Sequence, residues 1–333
     1  MHKLGGLQFI RAFAAVLVLV GHAIAEAEHY FGISMGLDFI PWTRGVDIFF
    51  VVSGFIITLS ITRYEGRPFA FLQRRVLRIV PLYYLFTTLM VLTLVVFPNG
   101  PKETIFDLGH ILTSYGFFPY ARPDGRIAPL LSLGWTLNYE MFFYVLCVIC
   151  MFTRHTTLAL TGLIVSIALY GATNSLEASH WVFWTNPIII EFLFGIFLAK
   201  AYQAGWTQPS SRLATVLFLG ALVMLVVLDA TEIPRFLAAG LPAVLIVAAA
   251  TLLCPLNFRR WEILGDASFA LYLSHRFTLR LTTILLIPVL PPSIAGGWAY
   301  VFCVSGVSIT VAIVVHLWLE LSLLNPAKKR VLT

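Results

Sequence analysis

The sequence predicts an all-α fold, a polytopic transmembrane bundle of about ten helices with both termini in the cytoplasm. Three observations predict it. Hydrophobic residues make up 59% of the 333-residue chain, charged residues only 11%, and mean hydropathy is +0.89. That balance leaves too little polar surface for a soluble globule. The apolar runs are continuous and approach twenty residues, as helices crossing a hydrocarbon core require, whereas a barrel shows short alternating segments. The basic residues also segregate by side. Lys3, Arg63, Arg67, Arg74, Arg75, Arg78, Arg154, Lys200, Arg212, Arg259, Arg260, Lys328, Lys329 and Arg330 fall on one side, against Lys102, Arg122, Arg126 and Arg235 on the other. The positive-inside rule makes the first side cytoplasmic, and this topology accounts for the net charge of +6 without nucleic acid as a partner.

The spans fall near residues 7–25, 44–61, 78–97, 136–152, 156–172, 185–203, 213–229, 236–253, 264–287 and 297–321. The first, in GLQFIRAFAAVLVLVGHA, is interrupted by Arg11 and ends without a small-residue cleavage site, so it reads as a retained helix rather than a signal peptide. The second is GVDIFFVVSGFIITL, and the third follows the arginine-rich RPFAFLQRRVLRIVPLYYL. Between Pro98 and Trp135 two apolar pieces, near 105–112 and 115–120, are too short to span and suit re-entrant or interfacial elements. The fourth span is GWTLNYEMFFY, the next four are apolar runs of which the second carries Glu191, and the last two carry His275, Arg276 and Arg280, then His316 and Glu320. For these, and for Glu191, mutual pairing inside the bundle is the default. No repeat or linker divides the chain, so residues 1–333 read as one membrane domain. Cys147, Cys150, Cys254 and Cys303 lie within or at the ends of spans and offer neither a disulfide framework nor zinc spacing. No metal is expected.

Ionisable groups at membrane depth mark pathways or reacting sites. Arg11 and His22 stand eleven residues apart, which returns a helix almost to the same azimuth and separates them by roughly 16 Å. Both therefore project from one stripe, with His22 toward the outer rim. Asp47 and Glu140, each about one turn into a span that starts outside, are expected in the same outer layer. A carboxylate holding one imidazole nitrogen leaves the other free as a general base. The alternatives are an interfacial histidine bound to a carbonyl and an Asp47 that caps its helix or pairs with Arg44 one turn away. Trp135, Asn138 and Tyr139 around Glu140 suit a sugar, with aromatic faces and an amide for hydroxyl groups. On the cytoplasmic side Arg74, Arg75 and Arg78 fall within about one turn, and arginine forks match phosphate oxygens. His275, near mid-membrane on an outward-running span, is a further candidate for a direct role. The chain lacks a GxSxG elbow, a Walker loop and an HExxH pair, which argues against serine hydrolysis, ATP hydrolysis and zinc proteolysis.

In their order and spacing, the Arg11–His22 pair, GVDIFFVVSGFIITL, Arg75 and Arg78 before IVPLYY, GWTLNYEMFFY and LGDASFALYLSH resemble the acyltransferase 3 family of integral membrane acyltransferases. NYEMFFY is most similar to the exopolysaccharide and O-antigen O-acetyltransferase branch. The resemblance covers nearly the whole chain. It implies transfer of an acyl group, usually acetyl from cytoplasmic acetyl-CoA, to a hydroxyl of a saccharide or lipid-linked oligosaccharide in a bacterial inner membrane. His22 matches the family's essential histidine, Arg11 its motif partner, and Arg75 with Arg78 the cytoplasmic arginine pair. Many relatives append a periplasmic hydrolase-like domain that this chain lacks, which implies a one-component mechanism or help from polysaccharide-assembly proteins. The competing expectation is a glycolipid or polyol transporter in which His22 couples protons; such proteins usually carry internal repeats or paired broken helices.

Overall fold

The computed structural model describes residues 5–97, 107–253 and 261–324. Lys3, Lys102, Cys254, Arg259, Arg260, Lys328, Lys329 and Arg330, which entered the charge and cysteine readings, lie outside the described residues. In chain order the helices are α1 (Gly5–Phe31), α2 (Gly45–Arg63), α3 (Pro68–Val96), α4 (Leu108–Tyr115), α5 (Trp135–Cys150), α6 (Thr156–Thr173), α7 (Ser179–Trp184) and α8 (Ile190–Gln203). They continue with α9 (Ser211–Asp229), α10 (Arg235–Ala238), α11 (Gly240–Ala248), α12 (Glu262–Asp266), α13 (Ser268–Leu286), α14 (Ile294–Val315) and α15 (Leu321–Leu324). π-Helical turns at Ala249–Leu253 and His316–Glu320 extend α11 and α14. Among the described residues there is no strand, only an isolated bridge between Ala121 and Ile127.

Nine stretches among the described residues are helical, long and apolar enough to cross a membrane. The remaining expected span, near 264–287, is the 19-residue α13. His275, Arg276 and Arg280 set it apart in hydropathy. It is kept inside the bundle, with Ser274, His275, Thr278, Thr282 and Thr283 all buried. α1 runs past its expected end near residue 25 to Phe31, and Glu28 in the extension accepts a hydrogen bond from the Met35 N–H at 2.7 Å.

Burial sorts the helices. α6 buries only the stripe Leu160, Ile164 and Ala168, and α9 only Ala214, Ala221 and Leu225. Leu158 and Leu169 of α6 and Val216, Leu219 and Val223 of α9 face outward, as lipid-facing helices require. The inner helices approach more closely. Where α2 crosses α8, a Cβ on Gly54 would lie 2.1 Å from the Phe192 carbonyl oxygen, and one on Gly195 would lie 2.0 Å from that of Val51. Small residues permit such a backbone approach in a membrane, where dispersion rather than water exclusion holds helices together.

α1 packs alongside α12 and α13 in the same direction. Gly265 sits against the Gln8 backbone, Leu19 and Leu271 share one apolar cluster, and His22 lies level with His275. This pairing positions the site.

The segment before α5 is pinned rather than free. Asp107 caps α4 by accepting from the His110 N–H at 2.6 Å, and Tyr83 and Tyr84 of α3 donate to the Ser114 and Tyr115 carbonyls at 3.1 and 2.8 Å. From residue 108 onward the first short apolar piece is a helix, with Leu108 and Leu112 pointing outward. The second contains a turn, with Phe117 at φ 55°. His110 stacks on Tyr120 at 4.6 Å between ring centres and lies 3.0 Å from the Ala128 carbonyl. Burial, opposed by that carbonyl, holds the imidazole below its usual range.

Leucine at Gly195 has no space at Val51, and overpacking of this kind costs about 1–3 kcal/mol; the expected outcome is a lowered midpoint of thermal unfolding in detergent. Because the folded His110 binds its proton less readily than the unfolded one, its contribution to stability is full above the ordinary histidine pKa of about 6.5 and declines as pH falls below it. Hydrogen exchange over residues 107–131, corrected for intrinsic rates, should therefore quicken at acid pH, and His110→Gln should flatten that dependence.

Candidate active site

The polar stripe on α1 is held at both ends by the chain segment at α12 and α13. At the inner end, Arg11 donates through Nη1 to Gln8 Oε1 at 3.0 Å, and Gln8 Nε2 donates to Asp266 Oδ1 at 3.0 Å. Arg11 is 7% exposed, with Glu320 and Glu140 also within electrostatic range. A buried guanidinium needs such company, because a lone charge in a medium of low dielectric costs far more than it returns. At the other end, His22 Nδ1 lies 3.3 Å from His275 Nε2, with ring centres 5.2 Å apart.

A cavity lies between α1, α2, α3, α5 and α13 and holds about 790 Å³ free of protein atoms, its mouth included. Arg11, Arg75, Arg78, Glu140, Tyr144, Ser53, Thr136, Ser268 and Tyr272 supply its polar wall, and Phe49, Phe50, Val52, Ile56, Ile57 and Phe269 are among its apolar residues. Three guanidinium groups thus face one carboxylate. Glu140 accepts from Ser53 Oγ at 3.1 Å and from the Tyr144 hydroxyl. Arg75 donates to Ser60 Oγ and lies over the Phe71 ring at 5.7 Å, while its Nε is buried without a partner. The surplus of positive charge in an apolar chamber suits an anionic ligand with an apolar arm.

Tyr272 separates this cavity from the histidines. Its hydroxyl donates to the Leu133 carbonyl at 2.9 Å and accepts from Thr136 Oγ1 at 3.0 Å, and its ring centre lies 6.2 Å from that of His275. His22, half-buried, is not on the cavity wall.

Several sequence expectations are corrected by this geometry. Asp47 and Glu140 do not share a layer: Glu140 meets α2 at Ser53, six residues or about 9 Å along the helix from Asp47. Neither is hydrogen-bonded to His22, whose ring is met by His275 instead. Asp47, fully buried, receives a two-pronged bond from Arg235 Nε and Nη2, both at 2.9 Å, and Arg235 lies over the Trp135 ring at 5.6 Å. Arg44, the alternative partner of Asp47, binds Asp229 at 2.6 Å. Arg74 is exposed and off the cavity wall, since it stands about 100° around α3 from Arg75.

The three aromatic and amide neighbours of Glu140 are also off that wall. Tyr139 is buried, stacks on Phe183 at 4.0 Å and donates to its carbonyl at 2.7 Å; Asn138 is buried with both side-chain polar atoms unpaired; Trp135 stays half-exposed beside Arg235. Elsewhere the default of mutual pairing matches His316 and Glu320, 2.7 Å apart. Arg280 binds Tyr30 at 2.6 Å.

Arg235 and Tyr272 were not singled out from sequence. Arg235 entered only as an outer-loop charge, although a buried aspartate implies a cation from some other helix. Tyr272 lies in the stretch LGDASFALYLSH, one turn before His275, but nothing in that stretch marks it as a partition.

These features define an integral membrane protein of helical class with a cation-lined chamber. The chain belongs to the acyltransferase 3 family: the family model, described as an acyltransferase domain, matches residues 4–317. It is accordingly an acyltransferase for groups other than aminoacyl groups. It is 32% identical over 268 residues to the exopolysaccharide production protein ExoZ of Rhizobium meliloti (strain 1021), covering 78% of this chain and 80% of that one. No solved structure matches.

The Asp47–Arg235 pair generates a stability prediction. Removing one partner of a buried ion pair strands the other, at about 3–5 kcal/mol. Because Arg235 is 36% exposed on its side chain, Asp47→Ala should fall at the low end. The double variant with Arg235→Ala should be less destabilised than the sum of the singles in a thermal-unfolding cycle.

Proposed function

We propose that this acyltransferase moves an acetyl group from cytoplasmic acetyl-CoA to a hydroxyl of an exported saccharide, with His22 as general base. The observation that carries the reading is the chamber itself, which joins Arg75 and Arg78 to Arg11 and Glu140 and ends one side-chain layer from the His22–His275 pair. In this reading both termini are cytoplasmic in a bacterial inner membrane, and the arginine-bearing start of α3 faces the cytosol. The name of the Rhizobium relative supports an exopolysaccharide acceptor, free or lipid-linked.

The donor's phosphates bind the forks of Arg75 and Arg78, which match phosphate oxygens bidentately, and its pantetheine arm runs along the apolar wall toward Arg11. The Tyr272 ring turns aside to let the thioester approach His22. The acceptor hydroxyl, arriving from the opposite end past Trp135, loses its proton to His22 as its oxygen attacks the thioester carbonyl. The tetrahedral centre then expels the thiolate sulfur, which takes up that proton. Arg276, which lies close enough to act electrostatically on both histidine rings, faces negative charge developing on the carbonyl oxygen.

Removal of a general base typically costs about 10²- to 10⁴-fold. Membranes carrying His22→Ala should therefore insert normally yet attach no label from radioactive acetyl-CoA to de-esterified exopolysaccharide. Arg75→Ala with Arg78→Ala should raise the KM for acetyl-CoA about tenfold or more, with a smaller effect on kcat. Full label transfer by the His22 variant would refute the base. Movement of saccharide across the membrane with no ester formed would instead favour a transporter.

A further inference from the structure

We propose that His275 is the positioning residue that fixes the tautomer of His22, leaving His22 Nε2 as the bare nitrogen that takes the acceptor's proton. The inference rests on the reading of His22 as base and deepens it.

His275 is 1% exposed, and its Nδ1 lies 3.1 Å from the Leu271 carbonyl oxygen one turn back, with the Tyr272 carbonyl also in hydrogen-bonding range. A carbonyl only accepts, so Nδ1 of His275 carries a hydrogen. Among the described residues no carboxylate is hydrogen-bonded to this ring, and Arg276 is its charged neighbour, so a second proton would create an unpaired buried charge. His275 is therefore neutral and its Nε2 is an acceptor. That acceptor faces His22 Nδ1 at 3.3 Å, so Nδ1 of His22 must be the donor. The Val18 carbonyl, a turn back on α1, is also within hydrogen-bonding range of the His22 ring. In neutral His22 the remaining nitrogen, Nε2, is then unprotonated.

This device replaces the carboxylate expected from sequence. A carboxylate behind a catalytic imidazole fixes the tautomer and also stabilises the cation that forms. Here a neutral imidazole fixes the tautomer through a backbone carbonyl, with no added charge in the membrane. When the acceptor's proton moves to Nε2, the Nδ1–H already points at the His275 lone pair, and the proton is passed to the departing thiolate.

The test combines a tautomer readout with kinetics. Full-length protein labelled with ¹⁵N-histidine, in lipid bilayers, is examined by solid-state NMR at neutral pH, the His22 signals being those lost in His22→Ala. The expected spectrum places the hydrogen of His22 on Nδ1 and a bare, pyridine-like nitrogen at Nε2. In His275→Phe, which keeps a ring but loses the acceptor, that preference should be lost and kcat for acetyl transfer should drop about 10- to 100-fold, the cost of removing an outer-shell orienting group, at unchanged KM. His275→Gln, whose amide again supplies a donor and an acceptor, should restore most of kcat. A hydrogen found on Nε2 of His22 in the wild-type protein, or full kcat in His275→Phe, would overturn the proposal. If His275→Phe fails to fold, the wild-type spectrum and the glutamine variant still decide it. Should the spectrum be as expected while His22→Ala keeps its activity, the general-base reading fails and the tautomer assignment stands.

Discussion

The parallel packing of α1 on α12 and α13 is the contact on which the site depends. Two polar residues on one stripe of a membrane helix must each find a partner, because lipid offers none. The neighbouring segment supplies both, Asp266 through Gln8 for Arg11 and His275 for His22. A slip of one residue between these helices would rotate the partners by about 100° and strand both groups at once. Gly265, against the Gln8 backbone, allows the approach that holds this register.

Around that pair the bundle is divided by charge. Toward the start of α3 the chamber gathers Arg11, Arg75 and Arg78 around Glu140, with Asp266 and Glu320 also within electrostatic range of Arg11. Toward the opposite end, Asp47, Arg235 and Trp135 close the gap between α2, α5 and α10 with a two-pronged ion pair and a cation–π contact. Between the two lies Tyr272, whose hydroxyl is anchored to the start of α5 and whose ring faces His275. In the proposed reading, where donor and acceptor come from opposite sides, Tyr272 is the barrier between the two approaches.

Lipid-facing and inward-facing helices follow different rules in this protein. α6 and α9 bury narrow stripes and need only hydrophobicity elsewhere, so little in them is constrained beyond length. α2 and α8 meet through glycines that leave no room for a methyl group, and α13 carries more polar side chains than a lipid-exposed helix tolerates. The helix with the weakest membrane signal is thus one of those nearest the chemistry.

The sequence by itself determined the class of architecture, because the length of an apolar run and the sidedness of arginine and lysine are local properties that the bilayer reads directly. It also marked Arg11, His22, Arg75 and Arg78 as unusual, since a charged or titratable group in or beside an apolar run is costly wherever it ends up. Tertiary structure alone decided their partners. The expected alliance of His22 with Asp47 or Glu140 rested on estimated depth, which gives height along the membrane normal but not azimuth or the offset between neighbouring helices. Asp47 instead faced Arg235 from a segment 188 residues away, and His22 met a histidine 253 residues away. Depth follows from counting residues at a fixed rise, whereas the choice of neighbour emerges only when every helix face is packed at once.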